Sequence, residues 1–162
     1  MNASVPSRFF GANTMEVQQD FRDLLALLNE HEVEFLIVGA YALAFHGAPR
    51  FTGDLDIFVR PAPDNAARLL DALAEFGFKF PNLTADDFSN PNKVVQLGFP
   101  PVRIDLITSI TGVSWDEAAA HKEAGDFGDV PVNYLGRDQY IANKRATGRR
   151  KDLADLEALG EE

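Results

Sequence analysis

Cysteine is absent from this chain, which removes disulfide frameworks, thiolate nucleophiles and cysteine-bound zinc together. Histidine is scarce, three in 162 residues, and this stands against a histidine-rich metal cluster. Hard cations with oxygen ligands are the metals left to consider. No apolar run approaches the ~18–20 residues of a membrane span, and Met1 to Ala12 lacks the basic-then-apolar order of a secretory leader. A soluble, cytoplasmic protein with no membrane partner is expected. Positive charge is also in short supply: 15 Lys and Arg against 25 Asp and Glu give a net charge of −10. A broad grip on nucleic acid needs many cations along one surface, so any polynucleotide contact must be local. Repeats and low-complexity segments are missing as well.

What is present is enough apolar material, 46% of the residues, for one substantial core. The expectation is one domain over 1–162, with an irregular segment at 1–13 and C-terminal helices at 137–162. Val17, Phe21, Leu24, Leu25 and Leu28 recur at helical spacing and predict a helix from about 15 to 31. Phe35 to Gly39 reads as a buried strand ended by glycine, Ala40 to Phe45 as a short helix, and Asp54 to Val59 as a strand with one acidic and one apolar face. Asp64 is a candidate N-cap for a helix that stops at Gly77. A loop with at most a helical turn spans Lys79 to Asn92, and two β-rich runs, Val94 to Phe99 and Val102 to Ile107, form a close pair around Pro100-Pro101. Ser114 to Lys122 predicts a helix, Val130 to Leu135 a final strand, Arg137 to Thr147 a helix ended by Gly148, and Asp152 onward the last helix. The fold class that follows is α/β or α+β, a central mixed sheet flanked by helices.

Three carboxylates are the candidates for chemistry, with solvated acidic strand ends of a structural protein as the plainer reading. Asp54 and Asp56 leave the same face of their strand with Cα atoms about 6.5–7 Å apart, near enough to converge on one ion. Two carboxylates about 4 Å apart repel by roughly 4 kcal/mol at an effective dielectric of 20, so the pair calls for a cation or a proton. Asp105 sits between Ile104 and Leu106 in a β run, where a carboxylate is costly unless it is partnered by an ion or by Arg103 on the same face. Mg²⁺, with Mn²⁺ as substitute, suits such ligands. Gly39, at a strand-to-helix turn, serves either as ordinary turn chemistry or as a place where backbone N–H groups receive phosphate oxygens. Arg50 has two readings, a phosphate clamp or a partner of Asp54 or Asp56. Lys144 either reaches a phosphate or complements its helix end, Asp152 has a competing role as an N-cap, Asp155 adds charge in the same first turn, and His46 reads as a structural histidine.

The stretch Val38-Gly39-Ala40 through Arg50-Phe51-Thr52-Gly53-Asp54-Leu55-Asp56-Ile57 resembles the signature of the nucleotidyltransferase superfamily, an apolar residue and Gly-Gly or Gly-Ser followed about a dozen residues later by Asp-x-Asp. It looks closest to the small bacterial nucleotidyltransferases of abortive-infection toxin–antitoxin systems, and Ile141 to Asp155 looks like that group's closing motif. The resemblance implies that Asp54, Asp56 and Asp105 bind the metal and form the catalytic set. It further implies that Gly39, Ala40, Arg50 and Thr52 attend the triphosphate, with Lys144 and Asp152 or Asp155 in support. Ala40 departs from the pattern: it keeps the backbone donor and lacks the hydroxyl of a serine. Two functions are therefore expected. One is Mg²⁺-dependent transfer of a nucleoside monophosphate from a nucleoside triphosphate to a hydroxyl on an RNA end such as a tRNA, a protein or a small molecule. The other is a catalytically weak or inactive module that binds nucleotide or a partner protein, with a homodimer mate or cognate partner completing the cleft.

Overall fold

Amphipathic helices alternating with short buried strands set the architecture. The computed structural model describes residues 2–3, 14–50, 52–99 and 102–161. In chain order the elements are β1 (Asn2–Ala3), α1 (Thr14–Glu30), β2 (Phe35–Val38), α2 (Gly39–Phe45), β3 (Asp54–Val59), α3 (Pro63–Phe76), α4 (Asp86–Ser89), β4 (Val94–Phe99), β5 (Val102–Ile107), α5 (Trp115–Ala120), β6 (Glu123–Phe127), β7 (Val130–Tyr134), α6 (Arg137–Thr147) and α7 (Arg150–Ala158). The strands form one mixed sheet in the order β1-β4-β5-β3-β2-β7-β6. Strands β3 and β5 are parallel, as are β2 and β7, while β2–β3, β4–β5 and β6–β7 are antiparallel. This is the expected α+β class.

The core forms where the apolar stripes of the helices meet the sheet. Phe21, Leu24, Leu25 and Leu28 present one fully buried face of α1, which packs on α3 and β7. Each such side chain contributes roughly 1.5–3 kcal/mol of transfer free energy, enough to fix how α1 lies. All four residues of β2 are buried, as a central strand requires. In β3 the two faces differ: Leu55, Ile57 and Val59 are fully buried on one side, while Asp54 and Asp56 keep partial exposure on the other. Phe58 continues the acidic face and meets Trp115 edge-on at 5.0 Å between ring centroids. The acids therefore occupy the N-terminal end of β3, and the same face becomes apolar two residues further on.

Several boundaries differ from the sequence-based expectation. Strand β6 was not anticipated, because Glu123 to Phe127 has a single strongly apolar residue; it is held at the sheet edge by pairing along β7, from Glu123 opposite Tyr134 to Phe127 opposite Val130. Helix α3 begins one residue before Asp64, with Ala62 as N-cap and Pro63 in the first turn, so Asp64 supplies first-turn charge instead of the cap. Helix α7 begins at Arg150, two residues before the expected start. Within the segment expected to be irregular, Asn2–Ala3 pairs in parallel with Gln96–Leu97, and the remainder of 1–13 lies outside the described residues. Other ends fall where the sequence puts them: Gly77 and Gly148 adopt left-handed conformations that stop α3 and α6, and the Ser114 hydroxyl accepts from the Glu117 N–H to cap α5. Among the described residues, no helix is long and apolar enough to cross a membrane.

Candidate active site

Strand register brings the acids together. In the parallel β3–β5 ladder Asp56 stands opposite Asp105 and Asp54 opposite Arg103, so all four side chains leave one face of the sheet. Val38 of β2 flanks Asp56 on one side and Gln96 of β4 flanks Asp105 on the other. An aspartate about fifty positions away in sequence thus becomes the immediate neighbour of the Asp-x-Asp pair. Tertiary pairing alone decides this, since a one-residue slip of β5 would turn Asp105 to the opposite face.

The cluster carries more negative charge than it neutralises. Burial, a hydrogen bond with Asp105 and repulsion from Asp105 and Asp54 push the Asp56 carboxyl up to about 7, with Lys144 opposing the shift. Asp54 is also raised, first by burial, against the pull of Arg103, Lys151 and Arg50. Arg103 is the main compensating group. Its Nε donates to Asp105 Oδ1 at 2.7 Å and its Nη2 to Asp105 Oδ2 at 3.1 Å, while Nη2 also lies 3.4 Å from Asp54 Oδ2. The pairing of Arg103 with Asp105, one of the two sequence readings of Asp105, is thus present together with the three-acid neighbourhood. Among the described residues, no group of three or more Asp, Glu, His or Cys side chains stands ready-made to hold a metal ion. The two oxygens of Asp105 are turned to Arg103.

Gly39 is fixed by the same cluster. Its φ is +68°, and a Cβ added there would lie 2.1 Å from Asp56 Oδ2. Any side chain at position 39 would expel the Asp56 carboxyl, so the glycine makes room for an acid as well as for the turn into α2. Ala40 is buried behind it. The Thr52 hydroxyl accepts from the Asp54 N–H at 3.1 Å and shapes the entry to β3, so its contribution to the site passes through Asp54.

The remaining sequence candidates gather on α6 and α7. Lys144 is buried, with Nζ 3.3 Å from Asp152 Oδ1 and 5.4 Å from the centroid of the Tyr140 ring. Asp152 is fully buried at the third position of α7, where it accepts from Thr147 Oγ1 at 2.7 Å, from Arg149 Nε at 2.8 Å and from the Arg149 N–H at 3.3 Å. Burial alone would raise its pKa; hydrogen bonds from Arg149, Thr147 and Lys144 carry it well below the usual carboxylate range. Arg50 pairs with Asp155, Nε to Oδ1 at 3.3 Å, and not with Asp54 or Asp56. Asp155 in turn accepts from the buried Tyr140 hydroxyl at 3.5 Å. His46 Nε2 lies 2.7 Å from the Leu135 carbonyl, a structural contact between α2 and the end of β7.

Sequence reasoning gave Arg103 only as a partner of Asp105 and gave Lys151 and Tyr41 no place in the site. Lys151 is exposed and lowers the Asp54 pKa through space. Tyr41, in the first turn of α2, feels the Asp54 charge, although burial is the larger cause of its raised pKa. A signal for Arg103 existed: it precedes Asp105 by two on a strand, so it must share that face. The arrangement is an acidic centre bordered by Arg50, Arg103, Lys144 and Lys151, able to receive a polyanion together with a hard cation.

Comparison with known proteins bears on the family and the fold. The model of the family described as "Nucleotidyl transferase of unknown function (DUF2204)" matches residues 17–162. A Thermotoga maritima structure assigned as a nucleotidyltransferase superposes with a TM-score of 0.60 at 16% identity, covering 91% of this chain and 94% of that one. The lincosamide antibiotic adenylyltransferase LnuA, solved with lincomycin bound, gives 0.58 at 11% identity over 88% of this chain and 95% of its own. An antigenic nucleotidyltransferase-like protein from Paracoccidioides brasiliensis gives 0.53 at 16% identity, covering 90% and 74%. At these identities the likeness speaks for the fold. No curated protein matches the sequence.

Proposed function

Because the chain belongs to the nucleotidyl transferase family whose model spans residues 17–162, we propose that it transfers a nucleoside monophosphate from a nucleoside triphosphate to an acceptor hydroxyl. Asp54, Asp56 and Asp105 would hold Mg²⁺, or Mn²⁺ in its place. The observation that carries this reading is the register pairing of Asp56 with Asp105 beside Asp54 on one sheet face. The donor chemistry suits a hard cation: three carboxylates share one sheet face, and burial, with the Asp105 hydrogen bond and repulsion from Asp105 and Asp54, raises Asp56 to about 7. When bound, a divalent ion supplies charge neutralisation at the reacting phosphate and makes the acceptor hydroxyl more acidic.

The chain's own residues do the rest. Gly39 admits Asp56 to the centre, and the turn it opens directs backbone N–H groups at the start of α2 toward incoming phosphate oxygens. Arg50, Lys144 and Lys151 border the acids and offset the charge of the triphosphate. Thr52 keeps Asp54 in place through its hydrogen bond to the Asp54 N–H. Asp105 accepts the acceptor's proton as the acceptor oxygen bonds to the α-phosphorus; the α–β anhydride breaks and pyrophosphate leaves with the bonding electrons. The acceptor hydroxyl belongs to a small molecule, a protein or an RNA end. A net charge of −10 restricts an RNA such as tRNA to contacts at its terminus. LnuA carries lincomycin in its structure, which makes small hydroxylated molecules a natural first class to screen. Membership of a toxin–antitoxin pair rests on the resemblance of 38–57 and 141–155, and growth arrest on expression, relieved by a neighbouring gene product, is its test.

The deciding experiment incubates the protein with each α-labelled triphosphate, Mg²⁺ and cellular RNA, protein or metabolite fractions, alongside Asp54→Asn. Label transfer that falls on the order of 10²–10³-fold in the variant supports the enzyme. Mg-nucleotide binding without transfer would assign the chain to the binding-module class, and no binding of metal or nucleotide would end the proposal.

A further inference from the structure

Asp105 is the acid that the transfer step needs free, and both of its oxygens are engaged by Arg103, at 2.7 and 3.1 Å. A guanidinium cannot yield by losing its proton, and its hydrogen bonding to Asp105 raises its pKa further. It can yield only by rotating. Room for that exists on the solvent side, where the Arg103 side chain is 23% exposed. Rotation into water alone would trade a two-point carboxylate contact for solvent and leave three crowded acids behind. A triphosphate changes the balance, because a phosphate oxygen pair offers the guanidinium an equivalent two-point partner.

We propose that Arg103 is an exchangeable counter-ion, holding Asp105 and Asp54 in the arrangement described here and passing to a phosphate of the bound triphosphate, so that divalent metal and nucleotide bind cooperatively. The proposal rests on the nucleotidyl-transfer reading and adds a positioning residue to it. Arg103 competes with a metal ion for Asp105 and ceases to compete once nucleotide is present. By linkage, metal and nucleotide then raise each other's affinity by the same factor.

The test follows free Mn²⁺ by electron paramagnetic resonance, with and without the α,β-methylene analogues of ATP, GTP, CTP and UTP, which cannot be cleaved at the α–β link. Wild type, Arg103→Gln and Arg103→Lys are compared, with folding checked by circular dichroism. In the wild type at least one analogue should tighten Mn²⁺ binding about tenfold or more. Arg103→Gln should bind Mn²⁺ alone several-fold more tightly than wild type, with the coupling reduced to within about twofold, and Arg103→Lys should keep part of it. A folded Arg103→Gln protein with wild-type Mn²⁺ affinity and undiminished coupling, or with weaker Mn²⁺ binding throughout, overturns the counter-ion role and leaves the transfer reading intact. Wild type that binds no Mn²⁺ with any analogue removes both.

Discussion

Two buried carboxylates in this molecule have opposite fates. Asp56, on β3, is crowded by Asp54 and Asp105, and its carboxyl is pushed up to about 7. Asp152, on α7, is more deeply buried, yet Arg149, Thr147 and Lys144 all donate to it and its pKa is depressed. Burial penalises both; the number of donors decides the sign. The satisfied acid ties α6 to α7 and needs nothing further. The unsatisfied one lacks positive charge, and that deficit is what a bound cation would relieve.

That contrast can be broken by experiment. The largest effect is expected for Asp152→Ala, which leaves Lys144 buried without its partner: a loss of roughly 3 kcal/mol, seen as a fall in Tm of about 6–12 °C. A depressed carboxylate stabilises above the unfolded pKa of 3.8, so the deficit of the variant should persist at neutral pH and shrink as the medium is acidified below that value. A deficit that ignores acid would show that packing, and not the ionised carboxylate, holds the two helices.

Asp56→Asn should do the reverse. A raised carboxyl contributes its stability below about pH 3.8 and loses it as pH climbs through about 7. In chelator at pH 8 the variant should therefore exceed wild type by an amount on the order of 2 kcal/mol. At pH 5 the advantage should be much smaller, and adding Mn²⁺ at pH 8 should reduce it by stabilising wild type alone. Thermal unfolding under these three conditions decides it, and an advantage independent of pH would mean that Asp56 is not crowded.

The smallest effect on stability is expected at Arg50, whose half-exposed side chain pairs with Asp155. Arg50→Gln should cost no more than about 1 kcal/mol while weakening nucleotide-analogue binding measured by calorimetry. A Tm loss as large as that of Asp152→Ala, with analogue binding unchanged, would move Arg50 from the acid centre to the structural side of the comparison.

Local chemistry was legible in the sequence wherever a residue acts on its own neighbours. Period-3.6 stripes gave α1 and α3, glycines marked the stops of α3 and α6, and alternation placed Asp54 and Asp56 on one face of β3. Strand β6 escaped because Glu-Ala-Gly-Asp-Phe has little β character and is held by its pairing with β7. Pairing of Asp56 with Asp105 was an expectation until the β3–β5 register supplied it. Side-chain partners were the least readable. Arg50 turns to Asp155, and Arg103 takes both oxygens of Asp105. Asp152, a candidate for the nucleotide site, receives four groups of its own helix junction.

By itself the sequence determined which residues could carry charge on a given face of a strand or helix, because backbone periodicity is local and repeats every two or every 3.6 residues. Which of those charges meet depends on register and helix docking, and these are set by the summed burial of apolar side chains far apart in the chain. Only the tertiary structure could therefore decide that one set of acids would be left short of positive charge and the other fully supplied.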